Sequence, residues 1–335
     1  MRHILLCLSL FLGATPTLAD ESKIISDAVR LHILPRMAQL AASSQALANA
    51  AAAECSPTAP SLRRAYGDAF DAWIGVSHLR FGPSETDNRA FALAFWPDSR
   101  GKTPGALRKL IADEDPIVEE GGTFSDVSIA ARGFYPLEFM LYDPEFAQDS
   151  AYHCALVRAM TRDIADNSNA IALDWQAQYA AAIQTPSEGG VYRSDIEALQ
   201  ELFKTVSTGL DFDRDVRFGR PLGTFERPRP LRAETRRSER SQHHVWLSLM
   251  ALAELTDILA QNEPALKARL TEAFAYSEGL VFELNDPAFA GVSDVQGRFR
   301  IEVVQLSLDN TRDILTLELA PALGVVEGFN ALDGD

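Results

Sequence analysis

A chain of 335 residues, 47% of them hydrophobic, can bury one or two cores. Its formal net charge of −16 repels nucleic acid and anionic membrane surfaces, which removes both from the partner classes. The same acidity attracts cations and basic partners, or simply keeps an exported protein soluble.

In chain order, the first element is a leader. Met1, Arg2 and His3 give a short basic start, residues 4–13 an apolar run, and Thr17, Leu18 and Ala19 a small-residue cleavage site, which predicts a signal peptide over 1–19 cut after Ala19. The apolar run is well short of the roughly 20 residues that span a bilayer, so an N-terminal anchor is disfavoured. Cys7 lacks the small-residue pair that precedes a lipidated cysteine. Cleavage removes Arg2 and no acid, moving the charge from −16 to −17, and no later stretch is apolar enough to be transmembrane. The expected location is the periplasm. There the two remaining cysteines, Cys55 and Cys154, are predicted to pair, with two buried free thiols as the alternative. Closing so long a loop contributes on the order of 4–5 kcal/mol in the chain-entropy model, before strain.

Beyond the leader, apolar residues recur at three- and four-residue spacing, which predicts an all-α fold of two packed helical bundles, residues 20–185 and 190–335. The first helix is expected over 22–53, kinked at Pro35. A second, capped by Ser61, carries Tyr66, Phe70, Trp73 and Ile74 and is expected to end near Gly82 and Pro83. Broken structure follows to Gly122. Helices are then expected at 125–142 and 150–183, and the turn at 186–190 marks the boundary. The second half is predicted to hold helices at 194–203, 241–260, 263–283 and 295–319, with an Arg-, Gly- and Pro-rich loop at 218–232.

The most informative local feature is the run from Arg132 to Glu138. Gly133 and Pro136 oppose a regular helix there, and the proline is expected to leave the Arg132 carbonyl free. Tyr135 and Glu138, three apart, share a helical face and can converge on a ligand. The bland alternative is a packing kink with Tyr135 hydrogen-bonded and Glu138 paired to an arginine.

This run resembles the imelysin-like proteins, whose signature is Gly-x-His-x-x-Glu. Gly133 and Glu138 match it, and Tyr135 stands where the histidine would be. The resemblance extends to His78-Leu79-Arg80-Phe81-Gly82-Pro83, to Phe95-Trp96-Pro97-Asp98, to residues 219–223 continuing through Glu234 and Arg237 to Ser241, and to the terminal 328–335. These segments look most like the branch allied to iron-regulated relatives. The resemblance implies two helical bundles with the signature helix near their interface, an envelope location, and a link to iron uptake with envelope proteins of that pathway as partners. It also brings a peptidase name.

Chemistry weighs against that name, because a phenol of pKa near 10 in place of imidazole removes the ordinary zinc ligand. There is no Gly-x-Ser-x-Gly, His-Glu-x-x-His or Cys-x-x-Cys, and the serines near Arg237 and Arg240 have no evident base. His32, His78, His153, His243 and His244 show no metal-ligand spacing, although His78 lies within a resembling segment. Iron or haem is the cofactor class the remaining residues suggest. Tyr135, Glu138 and Asp98 would form an oxygen-rich metal site, and Arg80, Arg132, Arg237 and Arg240 would neutralise those carboxylates or bind an anionic ligand. The sequence reading is thus a binding or accessory protein with a polar cleft between bundles. A metallopeptidase using Glu138 and an interaction module with a vestigial cleft are the alternatives. The tail at 327–335 is expected to dock with turns, since it is too short for a calcium loop.

Overall fold

The computed structural model describes residues 18–119 and 122–326. The expected leader, apart from the backbone at 18 and 19, and the expected docked tail at 327–335 lie outside the described residues.

The first helical run is interrupted where its proline requires. Helix α1 (Leu18–Asp27) passes through a π turn at Ala28–Ile33 into α2 (Leu34–Ala53). Pro35 falls in the first turn of α2, where a missing N–H is harmless, and the Leu34 amide reaches back five residues to the Val29 carbonyl. The expected kink therefore takes the form of a widened turn. Helix α3 (Pro60–Ile74) starts on its own proline after Ala59. Ser61 is not the cap, since its hydroxyl turns to Glu54 at 3.4 Å, and the helix stops at Gly75, short of the expected Gly82-Pro83 end.

Short pieces follow: α4 (Arg89–Leu93), α5 (Lys102–Asp113) and single 3₁₀ turns at Pro116–Val118, Phe124–Asp126 and Ile129–Ala131. The single helix expected over 125–142 is not formed. Helix α6 covers only Phe134–Tyr142, because Gly133 adopts φ 82°, and a Cβ there would come within 2.2 Å of the Leu93 carbonyl oxygen. Pro136 consequently lies in the first turn of α6 and breaks no internal bond, while Arg132 is extended outside the helix; its carbonyl is not freed by the proline.

Helix α7 (Ala151–Asp174) begins at Ser150, whose hydroxyl accepts from the His153 amide at 3.1 Å, and continues through a π turn at Trp175–Tyr179 into α8 (Ala180–Gln184). The Cys55–Cys154 disulfide ties the end of α2 to α7, with Cα atoms 5.1 Å apart across 99 residues of sequence. Helix α9 (Asp195–Asp211) opens on a reciprocal cap: Ser194 accepts from the Glu197 amide, and Glu197 from the Arg193 amide at 2.8 Å. It runs on through a π turn at Phe212–Phe218 into α10 (Gly219–Leu222), well beyond the expected stop at 203. The remaining long helices are α11 (Ser241–Leu259), α12 (Pro264–Glu283) and α13 (Val295–Ile314); a π turn at Leu315–Leu319 leads to α14 (Ala320–Ala322).

The expected all-α class of two packed bundles holds. In the first, α2 lies between α3 and α7, where small side chains such as Ser44 and Ser168 meet at 3.0 Å. In the second, α11 packs on α9 and α12, and α12 on α13. The seam is closed by α1 against α9 and by α3 against α11. Tyr66, Phe70, Phe134 and Trp175 are fully buried, each such side chain stabilising the fold by about 1.5–3 kcal/mol. Among the described residues no helix is long and apolar enough to cross a membrane.

Candidate functional site

A cavity of about 410 Å³ opens along the seam between the bundles. Its walls are aromatic: Trp73 of α3, Phe91 of α4, Trp96, Tyr135 of α6 and Phe212 of the π turn. Trp96 stacks on Tyr135 at 5.9 Å between ring centroids, and Phe70 and Tyr135 meet edge to face at 5.1 Å. Arg80 and Lys204 are the more exposed cations around it, each beside an acid, Glu85 at 2.6 Å and Glu201 at 3.8 Å. His78, Thr205, Arg217 and Ser248 are its buried polar residues.

Beneath the aromatic walls lies a buried ionic network. The Tyr135 hydroxyl donates to one oxygen of Glu234, and Arg217 Nε donates to the other at 2.8 Å. Arg217 also donates to Asp213, one turn earlier, and to the Ser248 hydroxyl at 3.0 Å. Burial would raise the Glu234 carboxyl, but the charges of Arg217 and His244 and the hydrogen bonds from Tyr135 and Arg217 together outweigh it and hold Glu234 below the ordinary range. For Asp213 burial wins over Arg217 and Ser248, and its carboxyl is pushed up to about 6. Burial and the adjacent Glu234 hold the Tyr135 phenol well above its usual value, so it stays a neutral donor. The floor therefore carries one cation against two carboxylates, one of which is easily protonated. It is polar without strong net charge.

The backbone supports this arrangement at two glycines. Gly133 lets the start of α6 press against α4, bringing Tyr135 under Trp96. At Gly209 a Cβ would sit 2.7 Å from Leu252 and 3.1 Å from the His78 Cβ, so only glycine lets α9 approach both.

The residues singled out from sequence are divided by the structure. Tyr135, His78 and Arg80 line the cavity; Glu138, Asp98, Arg132 and Arg240 do not. Glu138 turns to the loop before α11, where one oxygen accepts from the Ser238 amide at 2.9 Å and hydroxyl at 2.8 Å, and Arg237 stands 4.0 Å from the other. Burial raises its carboxyl, opposed by Ser238 and Arg237. Asp98 accepts from the amides of Lys102 and Thr103 at 2.9 and 2.7 Å, satisfying the open donors at the start of α5. Arg132 pairs with Asp163 at 2.7 Å and borders a separate groove of about 580 Å³. Arg240 pairs with Asp71, which also meets His243 at 3.0 Å. Tyr135 and Glu138 thus have different partners.

Sequence reasoning missed Arg217, Asp213 and Ser248, and took Glu234 only as part of a resembling segment. The one local signal was the spacing of Asp213 and Arg217, four apart in a segment that continues an amphipathic helix.

These donors do not suit a bare metal ion. The Tyr135 hydroxyl is committed to Glu234, Arg217 adds a cation at the same carboxylate, and Ser238 and Arg237 occupy Glu138. Among the described residues no three His, Cys, Asp or Glu side chains converge in a way that could hold a metal.

The family model described as imelysin, peptidase M75, matches residues 33–315. A solved imelysin-like protein from Psychrobacter arcticum is similar with a TM-score of 0.79 and 19% identity, covering 95% of this chain and 100% of that one. A solved iron-regulated protein A precursor from Parabacteroides distasonis has a TM-score of 0.76 at 14% identity, covering 91% and 96%. At those identities the likeness is one of fold. A search of curated proteins returned no match.

Proposed function

This chain belongs to the imelysin family, and from that premise we propose that it is an exported binding protein that holds a planar aromatic organic ligand in the cavity between its bundles. The observation that carries the reading is the combination of aromatic walls with a fully buried Tyr135–Glu234–Arg217 floor. A volume of about 410 Å³ falls within the range of small-molecule sites. Export is supported by the leader pattern and by the Cys55–Cys154 bond.

A tie to iron is suggested by the relative from Parabacteroides distasonis, whose description is iron-regulated. On this reading iron reaches the protein inside an organic ligand, as haem or another chelate, and the chain supplies walls and hydrogen bonds instead of metal ligands. Envelope proteins of iron uptake are the partners this implies. The peptidase reading requires an activated nucleophile or a metal-bound water. Ser248 accepts from Arg217, and the single Ser238 hydroxyl hydrogen lies between Glu138 and the Thr235 carbonyl. Glu138, the one carboxylate beside it, is already held by the Ser238 amide with Arg237 nearby, and among the described residues neither serine hydrogen-bonds a histidine.

The test is titration with haemin and with aromatic ferric chelates, followed by quenching of Trp73 and Trp96 fluorescence. One saturable site is expected, unaffected by EDTA, and weakened about tenfold by Trp96→Ala through loss of stacking. Absence of saturable quenching by any of these ligands would sink the reading. Chelator-sensitive peptide hydrolysis that Glu138→Gln abolishes would favour the peptidase.

A further inference from the structure

His78 carries a polar atom that the protein leaves without a partner. Its Nε2 lies 3.0 Å from Nε2 of His32, whose Nδ1 lies 2.9 Å from a Glu254 oxygen; its own Nδ1 is buried and has no hydrogen-bond partner. His78 is 5% exposed, and it lines the cavity.

The proton positions along this chain follow in order. The other Glu254 oxygen accepts from Arg36 at 2.6 Å, and His32 and Arg36 together hold Glu254 well below the ordinary carboxylate range despite its partial burial. An ionised carboxylate only accepts, so His32 Nδ1 carries a hydrogen. His32 is wholly buried and kept neutral by that burial, against the pull of Glu254. Its Nε2 is therefore a bare acceptor. The facing Nε2 of His78 must then donate. Burial, followed by His32, Arg36 and Arg217, disfavours a charge on His78 as well, and a neutral ring that donates from Nε2 has a bare lone pair on Nδ1.

A buried acceptor with no donor is costly to leave unmet, and a ligand that shifts the cavity wall enough to bring a donor to Nδ1 removes that cost. We propose that His78 is the specificity-determining acceptor of the cavity, taking a hydrogen bond from a hydroxyl on an aromatic ligand, with Glu254 acting through His32 as the positioning residue that fixes its tautomer. The ligand class is a phenol, selected over the same ring system without the hydroxyl. This rests on the reading that the cavity holds an aromatic ligand.

Two measurements separate the claims. Ring ¹⁵N resonances of His78 are expected to show Nε2 protonated and Nδ1 bare; a protonated Nδ1 overturns the inference whatever the cavity binds. Calorimetric affinities are then compared for 2-naphthol and 2-fluoronaphthalene, which are nearly equal in size and differ in the donor. Preference for naphthol is expected to be roughly tenfold or more, to vanish in His78→Phe, and to fall several-fold in the half-exposed Glu254→Gln, whose amide can meet His32 as donor or acceptor. Equal affinities in the wild type, or a preference that survives both substitutions, overturns the role of His78 and leaves the cavity reading standing. Failure of both naphthalenes to bind, where haemin or a ferric chelate still quenches Trp96, overturns the phenol class assigned through His78 and leaves the cavity reading standing; failure of every one of these ligands overturns both.

Discussion

Tyr135 and Glu138 stand three residues apart on α6 and belong to different parts of the molecule. Tyr135 joins the floor of the cavity, bonded across the seam to Glu234. Glu138 joins a clasp in which the loop before α11 grips the first bundle: Ser238 on Glu138, Arg237 on Asp143 at 2.6 Å, and Arg240 on Asp71. The Arg237 guanidinium also covers the Phe139 ring at 3.5 Å. The floor is a single cation shared by two deeply buried carboxylates. The clasp spreads its charges over several partly exposed pairs, so its parts are individually weaker. Residues adjacent in a motif need not share a task; the partner from the other bundle decides.

The largest effect is expected at the centre of the floor. Arg217→Met strands Glu234 and Asp213 without their counter-charge and should cost about 3–5 kcal/mol in urea unfolding, with ligand binding lost alongside. Glu138→Ala is expected to cost about 1–3 kcal/mol by orphaning the Ser238 amide and hydroxyl, while affinity for the cavity ligand is retained. Loss of ligand affinity at unchanged stability in that variant would break the contrast between floor and clasp.

A finer separation comes from pH. With its carboxyl raised from 3.8 to about 6 by burial, Asp213 keeps a proton in the folded chain that the unfolded chain releases sooner. The folded state binds more protons between those values, so this group lowers stability as pH rises through that window and contributes no further slope above it. The slope is at most about 1.4 kcal/mol per pH unit. Asp213→Asn keeps an acceptor for Arg217 and should flatten the curve between 3.8 and about 6. An unchanged curve would place the titrating group elsewhere, outside the floor.

Much of this was legible in the sequence. Helical spacing gave the all-α class and most long helices, and cysteine counting gave the Cys55–Cys154 pair. The errors fell where backbone chemistry overrode periodicity. Residues 124–131 carry a helix-like pattern, but Gly133, held at positive φ against α4, delays the helix to Phe134. Tyr135 drew notice from the broken helical pattern around Gly133 and Pro136 and its spacing to Glu138, and His78 because it sits in a resembling segment. Glu234 and Arg217 lie 99 and 82 residues from Tyr135, and nothing local ties them to it. His32 was equally opaque, since only the approach of the first helical run to α11 and to the end of α3 reveals its role.

The π turn at Phe212–Phe218 has a consequence for how this floor can change over generations. A π turn holds about one residue more than the α-helical path it replaces, and each residue of an α-helix advances the side-chain direction by about 100°. Phe212, Asp213 and Arg217 all lie within it. Losing a single codon here would return the segment to ordinary winding and swing Arg217 away from Glu234, altering the chemistry of the floor while the helix around it persisted. The floor is thus a matter of phase as much as of residue identity, and lineages that share every side chain can still differ in it.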